Sequence, residues 1–131
     1  MDQLYRELIL DHYQHPHNHG TIESADISYE DSNPLCGDKI RIDMKVREGI
    51  VEDIKFSGKG CAISQASASM LTDEIKGKPL DDLKHLDKQT VLDLIGIPLG
   101  PTRLKCALLA LKVVKGGAYG ITQWPGEEEE E

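Results

Sequence analysis

The segment from residue 39 to residue 57 constrains the fold most strongly, because apolar and charged side chains alternate along its first half. A period of two places successive side chains on opposite faces of an extended chain, which predicts a strand buried on one face. Glu48-Gly49 then favours a tight turn, and residues 50–57 return with Ile54 and Phe56 facing inward. We therefore expect an antiparallel hairpin whose charged outer face is solvated. The inward face of its first strand carries Ile40, Ile42, Met44 and Val46.

Helix-forming patterns lie on both sides of this hairpin. The helix over residues 62–75 is rich in Ala and Ser, so it can approach its neighbours closely. The order of elements, a helix, a hairpin and then more helices, predicts one α+β domain over residues 1–126. The other predicted elements are helices over residues 2–14, 80–85 and 88–95, an edge strand over 27–32, and a last helix that begins at Pro101 and ends at Gly116-Gly117. The predicted apolar stripe of the first helix consists of Leu4, Leu8 and His12 beside Tyr5, Ile9 and Tyr13.

Charge and hydropathy exclude several classes of function. Residues 127–131 contribute five of the eight net negative charges, and a run of five glutamates is typical of a disordered acidic tail. No basic patch with interleaved aromatic residues is present, which argues against nucleic acid as a partner. No apolar run reaches the roughly 18 residues of a membrane span, and the N-terminus lacks a signal peptide's apolar region. We expect a cytoplasmic protein without a membrane partner.

The three cysteines are the residues most able to carry chemistry. An odd number of cysteines in a reducing compartment is not typical of a disulfide framework, and three unconnected buried thiols are the alternative to a metal site. Cys36 and Asp38 flank Gly37, whose backbone freedom allows a sharp turn between two side chains that bind zinc or iron. Cys61 follows Gly58-Lys59-Gly60 where a helix is predicted to begin, and a helix N-terminus stabilises a thiolate.

Cys106 lies within the first two turns of the predicted last helix, near the positive charges of Arg103 and Lys105. Those charges also favour the thiolate form of the cysteine. Together the chain therefore offers four candidate ligands for one metal centre, which are Cys36, Asp38, Cys61 and Cys106.

Three histidines alternate at positions 15, 17 and 19. They lie in a segment that also contains Pro16, Asn18 and Gly20, so a loop is expected there. Alternation within such a loop is weak evidence for a metal site. We interpret these histidines as structural or solvent-exposed.

Three separated motifs, in this order, resemble the iron–sulfur cluster assembly scaffolds of the IscU and NifU N-terminal type, and most closely the SufU branch. They are Cys36-Gly37-Asp38, the turn Gly58-Lys59-Gly60-Cys61, and Arg103-x-x-Cys106. The resemblance extends from Leu4-Tyr5 and Asp11-His12-Tyr13 to the last helix. It implies a three-stranded antiparallel sheet with helices packed on it.

The same resemblance implies roles for individual residues. Cys36, Asp38, Cys61 and Cys106 match the metal and cluster ligands of the family, with Gly37, Gly60 and Lys105 in supporting positions. Cys36 matches the sulfur acceptor of SufU-like proteins. Arg103 matches an arginine linked to docking with a PLP-dependent cysteine desulfurase of the SufS or IscS type. Downstream apo iron–sulfur proteins or carriers would receive the product.

Two markers leave two functions open. Lys105 stands where IscU proteins usually carry a histidine, which favours a SufU-like, zinc-dependent sulfurtransferase. SufU proteins usually carry an insertion between their second and third cysteines, whereas the 44 residues between Cys61 and Cys106 are close to the IscU spacing. That spacing favours a non-enzymatic scaffold for a labile 2Fe–2S cluster. A purely structural zinc is a third, minority interpretation.

Overall fold

The computed structural model describes residues 2–34 and 37–126, so Cys36 and the acidic tail over residues 127–131 lie outside the described residues. Three strands form one antiparallel sheet in the order β1-β2-β3, and the helices pack on it. The predicted α+β class and three-stranded sheet are confirmed. The elements are α1 (Asp2–Gln14), β1 (Ile27–Asn33), β2 (Asp38–Arg47), β3 (Ile50–Lys59), α2 (Ala62–Ile75), a 3-10 helix (Leu80–His85), α3 (Lys88–Ile95) and α4 (Pro101–Tyr119).

The central hairpin follows from its turn chemistry. Glu48 and Gly49 both have positive φ, 52° and 78°, which is the conformation of a two-residue turn that matches the twist of paired strands. Arg47 therefore pairs with Ile50 across the turn. Of the predicted inward residues, Ile40, Ile42, Met44, Ile54 and Phe56 are buried in the core. Val46 is only half-buried, next to an irregularity in the strand register between Lys45 and Val46.

The expectation that the charges of this hairpin are only a solvated face is wrong at Asp43. The carboxylate of Asp43 is buried and accepts hydrogen bonds from Ser28 Oγ (2.6 Å), the Ile22 backbone N–H (3.1 Å) and Arg41 Nε (3.1 Å). Burial alone would raise the pKa of Asp43, but these donors outweigh it and hold the pKa below its ordinary value. Asp43 therefore ties the chain before β1 to the sheet.

Helix α4 does not end at Gly116-Gly117 as the sequence predicts. It continues to Tyr119 and is capped by Gly120, whose φ is 71°. Gly116 and Gly117 instead face Tyr29 on β1, and a Cβ added to Gly116 would lie 2.5 Å from the Tyr29 ring. The two glycines are there because the helix approaches the sheet too closely for a side chain.

Helix α2 crosses the middle of the molecule, and every residue from Ile63 to Thr72 is buried. Its Ala and Ser side chains allow close contact with α1, α4 and β3, as expected. Buried hydroxyls are satisfied by neighbouring backbone: Ser67 Oγ donates to the Ala107 carbonyl of α4 at 2.6 Å. Cys61, just before α2, and Asp73, near its C-terminal end, are exposed on either side of this buried stretch.

The predicted stripe of α1 is only partly correct. Ile9 and His12 are buried against α2, but Leu4 and Leu8 are exposed, as is Tyr13. Burial, and then the nearby His17, lower the pKa of His12, so its imidazole is neutral near neutral pH. No helix within the described ranges is long and apolar enough to span a bilayer.

Candidate metal centre

Asp38 begins β2, where the register pairs it with Asn33 at the end of β1. The connection between these strands turns at Gly37, which has φ 72° and donates its N–H to the Asn33 carbonyl at 2.9 Å. The Asp38 side chain points inward and is only 1% exposed. A buried carboxylate requires compensating hydrogen-bond donors or a cation.

Cys61 is the residue that caps the N-terminus of α2. Its backbone N–H donates to Asp38 Oδ1 at 3.0 Å, and its Sγ lies 3.9 Å from Asp38 Oδ2. Gly60 is necessary for this contact, because an added Cβ would lie 2.6 Å from Asp38 Oδ1 and 2.3 Å from Ser64 Oγ. The glycine-rich turn thus brings the start of α2 against the buried carboxylate.

Cys106 reaches the same place from α4. Its side chain is buried, and Asn33 Nδ2 lies 4.0 Å from its Sγ. Cys61, by contrast, is exposed, so one side of the cluster is open to solvent. Asp38 and Cys106 are therefore the buried members of the cluster, and Cys61 is the member that solvent can reach.

Asp38, Cys61 and Cys106 therefore meet at one point, each with a ligand atom within 4.8 Å of the others. Two thiols and a carboxylate are a donor set suited to zinc or to iron in a sulfur environment. These residues fit a metal ion that would draw them together and take a fourth ligand. Cys36, the remaining predicted ligand, lies outside the described residues.

Arg103 lies on the first turn of α4 and is exposed, and its docking role stays a prediction. It borders an open, mostly apolar groove beside the metal centre, since Ile63 is two residues from Cys61 and Arg103 is three from Cys106. The groove is lined by Arg6, Ile9, Leu10, Ile63, Ile97 and Arg103.

Lys105 is not one of the residues that converge at the candidate metal centre, which are Asp38, Cys61 and Cys106. Its Nζ stands 5.2 Å from the centre of the Trp124 ring, and Lys112 Nζ stands 5.1 Å from the same ring. The segment after α4 therefore folds back along that helix and covers the side chain next to Cys106.

Two residues at the site were missed by the sequence analysis. Asn33 contacts Cys106, and Ser64 lies 3.9 Å from Cys61 Sγ while it donates to the Cys61 carbonyl at 3.1 Å. The Cys61-x-x-Ser64 spacing, which brings a hydroxyl back to a helix N-terminus, was a usable signal for Ser64. Asn33 had no such signal, because its role depends on the pairing of β1 with β2.

Comparison with known proteins gives a consistent result. Residues 4–129 match the model of the NifU-like N terminal domain. The chain is 40% identical to the zinc-dependent sulfurtransferase SufU of Bacillus subtilis, over 89% of this chain and 90% of that protein. It is 33% identical to the iron–sulfur cluster assembly scaffold protein IscU of Escherichia coli K12, over 85% of this chain and 88% of that protein.

A solved structure resembles the fold described above. It is that of a putative iron–sulfur cluster assembly scaffold protein for the SUF system from Fervidobacterium islandicum, with a TM-score of 0.75 and 28% identity. The match covers 88% of this chain and 97% of that one. On the length of the family match and the identity to curated relatives, the chain belongs to the family of NifU-like N-terminal domains.

Proposed function

We propose that this protein is an iron–sulfur cluster assembly protein that accepts sulfur from a cysteine desulfurase on Cys36, at a site made of Cys36, Asp38, Cys61 and Cys106. The observation that carries the proposal is the convergence of Asp38, Cys61 and Cys106 from three elements, each with a ligand atom within 4.8 Å of the others. Cys36 is two residues from Asp38 in the sequence, so the covalent chain keeps it within about 7 Å of that residue, Cα to Cα.

Sulfur transfer is an exchange between two sulfur atoms. The Cys36 thiolate attacks the outer sulfur of a persulfide on the desulfurase, a new S–S bond forms on Cys36, and the desulfurase cysteine leaves as a thiolate. A zinc ion held by the four residues would keep the thiols deprotonated and protected. The hydrogen bond from the Cys61 N–H to Asp38 Oδ1 fixes these two residues relative to each other. Cys36 is the ligand that we propose leaves the zinc to react.

The docking surface in this proposal is the groove bordered by Arg103. Its apolar lining and its two arginines, Arg6 and Arg103, fit a partner segment with apolar side chains and an acidic group. The partner is a PLP-dependent cysteine desulfurase, and apo iron–sulfur proteins or carriers receive the product. A reducing compartment such as the cytoplasm suits a chain with three cysteines and no disulfide framework.

The second candidate function is a scaffold on which a 2Fe–2S cluster is built as cargo and passed on. Such clusters usually take four thiolates, and an aspartate in place of one thiolate holds iron less firmly. Asp38 is therefore the observation that favours this function. A purely structural zinc is disfavoured because structural sites are closed, whereas Cys61 is exposed.

The persulfide on Cys36 is the direct test. The protein is incubated with a cysteine desulfurase and cysteine, and the peptide containing Cys36 is then weighed by mass spectrometry. We expect a mass increase of one sulfur atom on that peptide in the wild type, and no sulfur acceptance by the folded Cys36→Ala variant. Full-rate acceptance by that variant would overturn the assignment of Cys36.

The metal content of protein purified without oxygen separates the two functions. Zinc bound to the thiols without sulfide supports the sulfur acceptor, and iron with sulfide in equal amounts supports the scaffold. Alkylation of Cys61 and Cys106 should release the bound metal. Zinc or iron that stays bound after alkylation would contradict both functions.

A further inference from the structure

A second cluster of ligating side chains lies at the other end of α2. His12 comes from α1, His17 from the loop that follows α1, and Asp73 from the last turns of α2. Each offers a ligand atom within 4.8 Å of the others, and the two imidazole rings are 4.5 Å apart between centroids. Nothing in the proposed sulfur transfer uses these three residues.

The surroundings of the cluster fix the direction of each side chain. His12 Nδ1 lies 2.7 Å from Ser69 Oγ, and the same hydroxyl accepts the His17 backbone N–H at 2.8 Å. With the proton on Nδ1, the His12 ring donates to Ser69 and keeps its Nε2 lone pair for another partner. Histidines that bind metals are usually oriented in this way, through a hydrogen bond at the second ring nitrogen.

Asp73 is held from two sides. Its Oδ2 lies 2.6 Å from His17 Nδ1, and its Oδ1 accepts from Asn18 Nδ2 at 2.9 Å. A cation bound by the two imidazoles leaves Asp73 either as a third ligand or as the carboxylate that orients His17. In both roles the removal of its charge weakens binding.

Burial differs across the cluster in the way that an accessible site requires. His12 is 7% exposed, whereas the side chains of His17 and Asp73 are 49% and 46% exposed. A cation can reach the site from solvent and keep water in its remaining coordination positions. Imidazole with one carboxylate suits zinc, copper or nickel, whereas magnesium and calcium prefer oxygen ligands alone.

The cluster is separate from the thiol site. Asp73 follows Cys61, the N-cap of the helix, by twelve positions, which corresponds to about 18 Å along the helix axis. The donor atoms also differ, nitrogen and oxygen at one end and sulfur at the other. The two sites can therefore be emptied and measured independently.

We propose that His12, His17 and Asp73 form a second binding site for a divalent transition-metal cation of the zinc class. The alternation of His15, His17 and His19 is not the relevant pattern. His15 is exposed, and His19 packs edge-on against Phe56 at 5.3 Å between ring centroids. His17 alone of these three joins the cluster.

Equilibrium dialysis of the full chain against zinc tests the proposal, with His15→Ala as the matched control from the same loop. We expect His17→Ala and Asp73→Asn each to weaken zinc binding at one site roughly tenfold or more, while His15→Ala binds as the wild type does. Equal binding by the wild type and His17→Ala would overturn the proposal, as would an equal loss in His15→Ala.

A second measurement guards against a folding defect in the variants. Imidazole signals of the wild type are followed by NMR during zinc titration after the thiols have been alkylated. Shifts of the His12 and His17 signals before those of the other histidines support the site. Equal shifts of every histidine would show an adventitious ion only and would overturn it.

Discussion

Side chains that could bind a metal lie at both ends of α2, but backbone contacts position them at one end and side-chain contacts at the other. At the N-terminal end, backbone geometry assembles the site: Gly60 allows the Cys61 N–H to reach Asp38, and β-pairing fixes Asp38 beside Asn33. At the C-terminal end, side-chain contacts to Ser69 and Asn18 orient His12 and Asp73. A site built on backbone is sensitive to a single added methyl group, whereas a site built on side chains is sensitive to the loss of one donor.

The largest effect is expected from Gly60→Ala. The added Cβ would collide with Asp38 Oδ1 and Ser64 Oγ, so the start of α2 must move away from the carboxylate. We expect metal affinity at the thiol site to fall roughly tenfold or more and the free energy of unfolding to fall by about 1–3 kcal/mol. Cobalt–thiolate absorption and urea unfolding measure the two quantities.

Gly100→Ala is the matched control for that variant. Gly100 caps α4 with an ordinary φ of −72°, and no atom lies within 4 Å of an added Cβ. Loss of metal in both variants would show that the backbone contact at Gly60 does not distinguish the thiol end.

A smaller, several-fold effect is expected from Asp38→Ala. In the scaffold function, the Asp38 carboxylate holds iron less firmly than a thiolate does, so its removal should slow the release of the cluster, because thiolates or another ligand then hold it. The same change leaves the Cys61 N–H without its acceptor, which costs about 1–3 kcal/mol of stability. The rate at which iron passes from the protein to a chelator measures this release. Faster loss from the variant than from the wild type would contradict the role of Asp38 as the weaker ligand.

The smallest effect is expected from Asp43→Asn. Asp43 is buried but lies at neither end of α2, so this variant tests whether a buried carboxylate outside the two clusters affects metal binding. The pKa of Asp43 is held below its ordinary value of 3.8 in the folded state. Its contribution to stability is therefore fully present above pH 3.8 and is lost as the pH falls through the folded pKa. Urea unfolding below about pH 5 should show a shallower pH dependence for Asp43→Asn than for the wild type. Identical slopes would contradict the hydrogen-bonded role of Asp43 in the sheet, and altered zinc binding in the variant would place Asp43 with the ligands.

Periodicity and turn chemistry predicted the hairpin, the bounds of α2 and the start of α4, because those features depend on neighbours in the sequence. The extension of α4 through Gly116 and Gly117 was not predictable from the sequence, because these glycines are required by contact with Tyr29 on β1, which is distant in the sequence. The burial of Asp43 was missed for the same reason: its partners come from the chain before β1 and from Ser28.

The two candidate sites differ in the same respect. Glycines adjacent to Cys36 and Cys61 marked the thiol end in the sequence itself, and the role of Cys36 there stays a prediction. All three strands and most of α2 lie between His12 and Asp73 in the sequence, so no spacing rule joins these two residues. Only the packing of α1 on α2 brings them together.

Trp124 gives the molecule an internal optical probe. It is the single tryptophan of the chain, and its indole lies beside two ammonium groups of α4, one of them adjacent to Cys106. Intrinsic emission excited at the red edge of the protein band therefore originates at one ring, and its wavelength follows the local field of that helix. Any event that shifts α4 relative to its C-terminal segment can be timed in the unlabelled protein by fluorescence alone.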